Sequence, residues 1–292
     1  MTGEASDDRG TTEPLPGQSP GLDPSTVPST QPGRAGSDST PRPAPVPRPG
    51  EPILEVTGLT AGYDGVAVVH DVDLSVRAGE VVALLGANGA GKTTTLLTVS
   101  GLVPKLGGTI AVVGEVTHER RRVRVADVWQ LARRGVAHVP EDRGLFFDLT
   151  AAENLRLGRP RRADAVPMDQ LLTWFPALER VLDRKAGLLS GGEQQMLALA
   201  RAVIGRPRLL LVDEMSLGLA PIIVEQLLPV LRSIATETSA GILLVEQHVG
   251  LVLDVADRAT LLHQGRVAFA GTAAELRESP ELIESGYLGS SA

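Results

Sequence analysis

Cysteine is absent from the 292 residues, so the chain can form no disulfide, thiolate nucleophile or cysteine-ligated metal site. That absence fits a reducing compartment. A basic excess is missing as well: the formal charge is −7, with 28 Lys and Arg against 35 Asp and Glu. Neutralising nucleic-acid phosphates needs a concentrated basic surface, so no nucleic-acid partner is expected. The short run from Glu119 to Arg124 is locally basic and reads as a solvated loop or helix face. No stretch approaches the ~20 consecutive apolar residues of a membrane-spanning helix. The opening MTGEASDDRG also lacks the basic and then apolar regions of a secretory signal. Together these absences predict a soluble, cytoplasmic protein that meets a membrane only through a partner.

What is present is a 42% hydrophobic content, enough for one large packed domain or two small ones. The first fifty residues hold eleven of the 21 prolines, interleaved with Ser, Thr and Gly. Such a composition cannot bury enough apolar surface to offset its ordering entropy, so residues 1–50 read as a disordered, partly polyproline-like tail. From residue 51 to 292 the pattern is that of a single α/β domain. Short β-rich runs (ILEV 53–56, VAVV 66–69, EVVALL 80–85, TIAVV 109–113, VAHV 136–139, RLLLV 208–212, GILLV 241–245, RVAFA 266–270) alternate with helix-like segments such as Lys92–Leu102 and Glu193–Ile204. Alternation of this kind predicts a largely parallel central sheet, and runs such as RLLLV suit strands buried on both faces. Residues from about 148 to 206 break the pattern: AAENLRLG, MDQLLTWF and ALERVLDR have helical periodicity, which predicts an inserted helical subdomain.

After EVVALL comes Gly86-Ala87-Asn88-Gly89-Ala90-Gly91-Lys92-Thr93-Thr94, a match to G-x-x-x-x-G-K-[ST] between a strand and a helix. Glycines let the backbone approach closely and aim N–H groups at a polyphosphate, and the helix N-terminus adds favourable electrostatics. Lys92 would reach the β- and γ-phosphates of ATP, and the Thr93 hydroxyl would ligate Mg²⁺. The run RLLLVDE puts Asp213 and Glu214 at the carboxyl end of a buried strand, where ligands of open α/β sheets bind. Asp213 suits a Mg²⁺ ligand, and Glu214 a base that orients or deprotonates an attacking water.

Between these two sites stands Leu189-Ser190-Gly191-Gly192-Glu193-Gln194-Gln195, which resembles the LSGGQ-type signature of ABC-transporter ATPases. The resemblance covers nearly the whole of residues 53–289. It implies a P-loop fold with a mainly parallel central sheet, an antiparallel β subdomain and an inserted helical subdomain. It also implies that two nucleotide-binding domains pack head to tail, so that Ser190, Gly191, Gly192 and Glu193 close over ATP held by the other domain. Tyr63 matches the aromatic that stacks on adenine. GVAHVPEDRGLFFDLTAAENL, DEMSLGLAP, LLVEQ and the terminal GYLG resemble the second ATPase subunit of branched-chain amino-acid importers. The partners implied are two transmembrane permeases, a second ATPase subunit (the same chain or a sister) and, indirectly, an extracytoplasmic solute-binding protein. The implied location is the inner face of the cell membrane. Importers of urea or amides, lipid exporters, soluble ABC ATPases without a transport role and an inactive nucleotide-dependent scaffold are the alternatives.

Three positions depart from the family pattern. Glu141 stands where most members have a glutamine that touches Mg²⁺ and senses the transmembrane subunit; a carboxylate can also ligate the ion. Ala220 replaces an aspartate. In VEQHV, Gln247 aligns with the switch histidine and His248 falls one residue later. One step along a strand reverses the side chain, so only one of the two can face the γ-phosphate, and Gln247 has the better claim.

Overall fold

The computed structural model describes residues 48–117, 125–159 and 165–288. Most of the proline-rich tail and the basic run at 119–124 lie outside them. Two sheets organise the described chain. One is antiparallel, in the spatial order β2 (Val66–Arg77), β1 (Pro52–Tyr63), β4 (Lys105–Val112) and β5 (Glu115–Thr117). The other runs β10 (Arg266–Thr272), β9 (Arg258–His263), β3 (Val81–Leu85), β8 (Gly241–Val245), β7 (Leu209–Asp213) and β6 (Val136–Val139). Its strands are parallel except for the β9/β10 pair.

The helices are α1 (Lys92–Val99), α2 (Val125–Arg133), α3 (Ala151–Gly158), α4 (Met168–Trp174) and α5 (Gly191–Val203). After these come α6 (Pro221–Thr238), α7 (Val249–Leu253), α8 (Ala273–Arg277) and α9 (Pro280–Leu288).

The three central strands are buried at every residue. Their period of two sorts side chains between two cores. Val81, Ala83, Leu85, Leu210, Val212, Ile242 and Leu244 pack with the helices α3 to α6. Val82, Leu84, Leu209, Leu211, Leu243 and Val245 face the antiparallel sheet, and Leu96 and Val99 of α1 fill the space between. So α1 is clamped between two sheets, which fixes its N-terminus at the carboxyl edge of β3.

The helix-like run ALERVLDR does not form an α-helix. It folds as a 3-10 turn over Pro176–Val181, with the Leu178 N–H bonded to Phe175 O at 3.0 Å. Proline at its first position has no N–H to give, and Leu178 and Val181 are drawn into the core three residues apart, the spacing of a 3-10 rather than an α turn. AAENLRLG forms α3, opened by a reciprocal cap in which the Thr150 hydroxyl accepts from the Glu153 N–H and the Glu153 carboxylate accepts from the Thr150 N–H.

Candidate functional site

Strand register brings four chain segments to one edge of the parallel sheet. Leu84 pairs with Val245, Val245 with Asp213, and Val139 with Val212. The next residues along each strand therefore converge: the glycine-rich loop after β3, Glu214 after β7, Gln247 after β8 and Glu141 after β6. Ligands of open α/β sheets bind at such an edge.

Packing dictates the glycines of the loop. Gly86 has φ 145°, and a Cβ there would lie 2.4 Å from Leu262 O. Gly91 has φ 99° and is the N-cap of α1; a Cβ there would lie 2.8 Å from Val69 Cγ2. The β9–β10 turn holds the loop from the far side, with the Gly265 N–H bonded to Ala90 O at 3.1 Å. No side chain caps α1, so its first amides are left for a ligand. Asn88, Gly89, Gly91, Lys92, Thr93, Thr94, Val68 and Glu214 line one cleft there.

Inside this cleft the Lys92 ammonium donates to Gly86 O at 2.9 Å and Ala87 O at 3.2 Å. It also stands 3.7 Å from Glu214 Oε1. Glu214 sits at φ 41°, an unfavourable conformation for a residue with a Cβ, and its amide is tied to Val245 O at 3.0 Å. Its other carboxylate oxygen accepts from Gln247 Nε2 at 2.9 Å. Thr93 Oγ1 donates to Asp213 Oδ1 at 3.3 Å. Burial pushes the Asp213 carboxyl up to about 6, with the charges of Glu214 and Glu141 adding to the rise. The site thus holds a carboxylate crowded by like charges beside a hydroxyl, an arrangement that a divalent cation would relieve.

The ABC transporter family model matches residues 69–216. The branched-chain amino acid transport ATP-binding protein BraG of Pseudomonas aeruginosa is 40% identical over 240 residues, covering 81% of this chain and all of that protein. The chain belongs to the ABC transporter family. Its similarity extends to a probable branched-chain amino acid transport ATP-binding protein, LivF, of Archaeoglobus fulgidus, 35% identical over 77% of this chain and 94% of that one. A solved ATP-binding subunit of an ABC transporter matches in structure with a TM-score of 0.66 and 34% identity, covering 79% of this chain and 94% of that chain. The fold is the ABC ATPase cassette, with its mainly parallel sheet beside an antiparallel one, and the chain is an ABC-type ATP-hydrolysing subunit.

The cassette's signature segment sits apart from this cleft, at the start of α5. The Ser190 hydroxyl accepts from the Glu193 N–H at 3.3 Å, and the Glu193 carboxylate accepts from the Ser190 N–H at 2.8 Å and its hydroxyl at 2.9 Å. These bonds hold the Glu193 carboxyl below its usual range. Gly191 faces the loop after β7, where a Cβ would lie 3.5 Å from Leu219 Cδ2, and Gly192 faces the first turn of α6, where a Cβ would lie 3.2 Å from Ile223 Cγ2. Tyr63, 47% exposed, closes β1 opposite Val66, at the hairpin whose returning strand sends Val68 to the phosphate cleft. Ala220 is the N-cap of α6 and provides no side-chain cap.

Arg143 is a residue that motif reading passed over. It donates to Gln195 Oε1 at 3.1 Å and Gln194 Oε1 at 2.8 Å, tying the Glu141 loop to the signature helix. Arg201 reinforces that tie through Gly144 O at 2.6 Å. Glu246 is another: fully buried at the end of β8, it accepts from the Ser216 N–H at 2.9 Å and from the Ser216 hydroxyl. It latches the segment carrying Gln247 to the loop carrying Glu214. A glutamate directly following the apolar run GILLV was the available signal.

The structure separates Gln247 from His248. Gln247 reaches Glu214, whereas His248 is the N-cap of α7 without a side-chain cap bond and borders an open groove with Ile283 and Tyr287. Replacing Gln247 by Ala is expected to lower ATP turnover about 10- to 100-fold, the worth of one hydrogen bond to a charged group. His248→Ala is expected to change it less than about two-fold. Steady-state ATPase rates check both, and a severe loss confined to the histidine variant would reverse the assignment.

Proposed function

We propose that the chain is the ATPase subunit of an importer of branched-chain amino acids. The cleft holding Lys92, Thr93 and Glu214, with Asp213 bonded to Thr93 and Gln247 to Glu214 behind it, carries the nucleotide part of this reading. The solute class is supported by the 40% identity with BraG along that protein's full length.

ATP is the substrate, its phosphates cradled by the loop from Gly86 to Thr94, with Ala87, Asn88 and Ala90 contributing backbone. Tyr63 stacks on the adenine. Lys92 leaves its two carbonyl partners for phosphate oxygens, and Glu214 takes the proton of a water that Gln247 helps to align. Among the described residues no cluster of three or more His, Cys, Asp or Glu could cage a metal. That suits Mg²⁺, which is commonly held by one or two carboxylates plus substrate phosphates. Thr93 and Asp213 would hold it, with Glu141 nearby. When bound there, the ion would supply charge neutralisation for the phosphates.

A second cassette, a sister or another copy of this chain, packs head to tail so that Ser190, Gly191, Gly192 and the capping Glu193 complete its partner's site. The Arg143 tie carries that closure to the Glu141 loop. Beyond this loop lie exposed Phe146 and Phe147, at 55% and 52%, with Leu188 at 67%. The Gly187 N–H bonds to Phe147 O at 3.0 Å, which sets the exposed Phe147 and Leu188 on adjoining segments. Two transmembrane permeases dock there. No described helix is long and apolar enough to cross a membrane. The permeases hold the cassette at the cytoplasmic face of the membrane. The extracytoplasmic solute-binding protein acts through the permeases.

Co-expression with the permeases tests this reading. The chain is expected to co-purify with them, and its ATP turnover to rise with binding protein loaded with leucine, isoleucine or valine. Phe147→Glu is expected to lower co-purification at least about five-fold while ATP binding by the full chain persists, because a charge cannot be buried unpaired. Stimulation by urea or a lipid in place of these amino acids would overturn the solute class. Absence of ATP binding by the full chain would overturn the whole reading.

A further inference from the structure

The terminal helix α9 reaches back to the phosphate loop. Tyr287, in the GYLG run, accepts through its hydroxyl from the Gly86 N–H at 3.3 Å. Gly86 is the residue at which the chain leaves β3 and enters the loop, and its peptide is hemmed in by Leu262 O. Two further contacts seat α9 at this place. His263 Nδ1 and Gly286 O are 3.3 Å apart, and a Cβ at Gly286 would lie 2.6 Å from Leu261 Cδ2. A larger residue at this position would push on the Leu261 side chain, so glycine lets the helix and its tyrosine lie close against β9.

The same phenol borders the groove lined by Gln247, His248, Val249, Leu251 and Ile283. One side chain therefore bonds to the loop at Gly86 and shares a groove with the segment that carries Gln247. Burial raises the Tyr287 hydroxyl above its ordinary range, so it is neutral and can accept from an amide throughout the physiological pH range.

We propose that Tyr287 is a positioning residue of the phosphate loop, its hydroxyl orienting the Gly86 peptide from the terminal helix. The inference rests on the nucleotide reading above. A peptide held by a neutral, partly buried acceptor does not have to be ordered when ATP arrives, so the effect belongs to nucleotide affinity rather than to the hydrolytic step.

Tyr287→Phe removes the oxygen and keeps the ring that fills the groove. The full chain carrying it is titrated with a fluorescent ATP analogue in the presence of Mg²⁺, and its turnover is followed across ATP concentrations. The dissociation constant and KM are expected to rise about 3- to 10-fold, the worth of one hydrogen bond. Turnover at saturating ATP is expected to change less than about two-fold, and the melting midpoint without nucleotide to stay within about 2 °C. Unchanged nucleotide affinity, a loss confined to saturated turnover, or an affinity loss matched by a fall of more than about 5 °C in the midpoint would each overturn the proposal. Wild-type protein that binds no ATP in the same titration would instead sink the underlying nucleotide reading.

Discussion

Glu214→Gln is expected to lower ATP hydrolysis by about 100- to 10,000-fold, the range that a positioned general base contributes. The substitution keeps the shape of the side chain and an oxygen that can accept from Gln247 Nε2, now 2.9 Å away. It removes only the charge and the basicity. Lys92 stands 3.7 Å from the glutamate and has two carbonyl partners of its own, so the loop retains its anchor. Nucleotide affinity is therefore expected to persist, and to rise where the bound γ-phosphate no longer meets a carboxylate. Steady-state ATPase rates paired with an ATP-binding titration separate the two effects. A variant retaining more than about a tenth of wild-type turnover would remove Glu214 from the role of base.

The placement of the glycine-rich loop between β3 and α1, and of the acidic pair at the end of β7, was legible because each is written in one short stretch. A glycine run between a strand and a helix has few other uses, and an apolar strand ending in Asp213 and Glu214 states its own depth. The antiparallel sheet was legible in part. VAVV marked only the start of β2, because the alternation in HDVDLSVR, with one face wet, dilutes its apolar content. β9 escaped notice because RATLLH has arginine and threonine among its first three residues, although four of its six residues are buried. Arg258 lies over the first sheet and bonds to Ser75 Oγ at 3.1 Å, a partner 183 positions away that no local pattern announces.

Contacts between distant segments account for the rest. Arg143 and Gln194 are separated by 51 residues, and Gly86 and Tyr287 by 201. Sequence placed both GYLG and PEDRG among subfamily features but had no means of saying what they touch. The choice between Gln247 and His248 is intermediate. Alternation along a strand says that the two diverge, yet only the register of β7 against β8 says which one meets Glu214.

Lys92→Ala is expected to weaken ATP binding at least about 100-fold. The magnitude follows from a difference between two states. With nucleotide, the ammonium exchanges two carbonyl oxygens for phosphate oxygens, each such charge-assisted bond being worth about 1.5–3 kcal/mol. Without nucleotide, the same ammonium already satisfies Gly86 O and Ala87 O, so part of the gross gain is offset. A net loss near 3 kcal/mol corresponds to roughly a hundred-fold in affinity. Alanine also takes a donor from Gly86 O and from Ala87 O, the latter still accepting from the Ala90 N–H at 3.1 Å, and leaves Glu214 without that cation beside it, in a site where the lysine is only 4% exposed. Stability is expected to fall by about 1–3 kcal/mol for that reason. The ATP titration is therefore run below the variant's own melting transition and compared with Lys92→Arg. Arginine restores the charge but not the compact head that fits among the loop carbonyls, so its affinity is expected to fall between alanine and wild type. Equal ATP affinity in wild type and both variants would show that the loop binds something other than a polyphosphate.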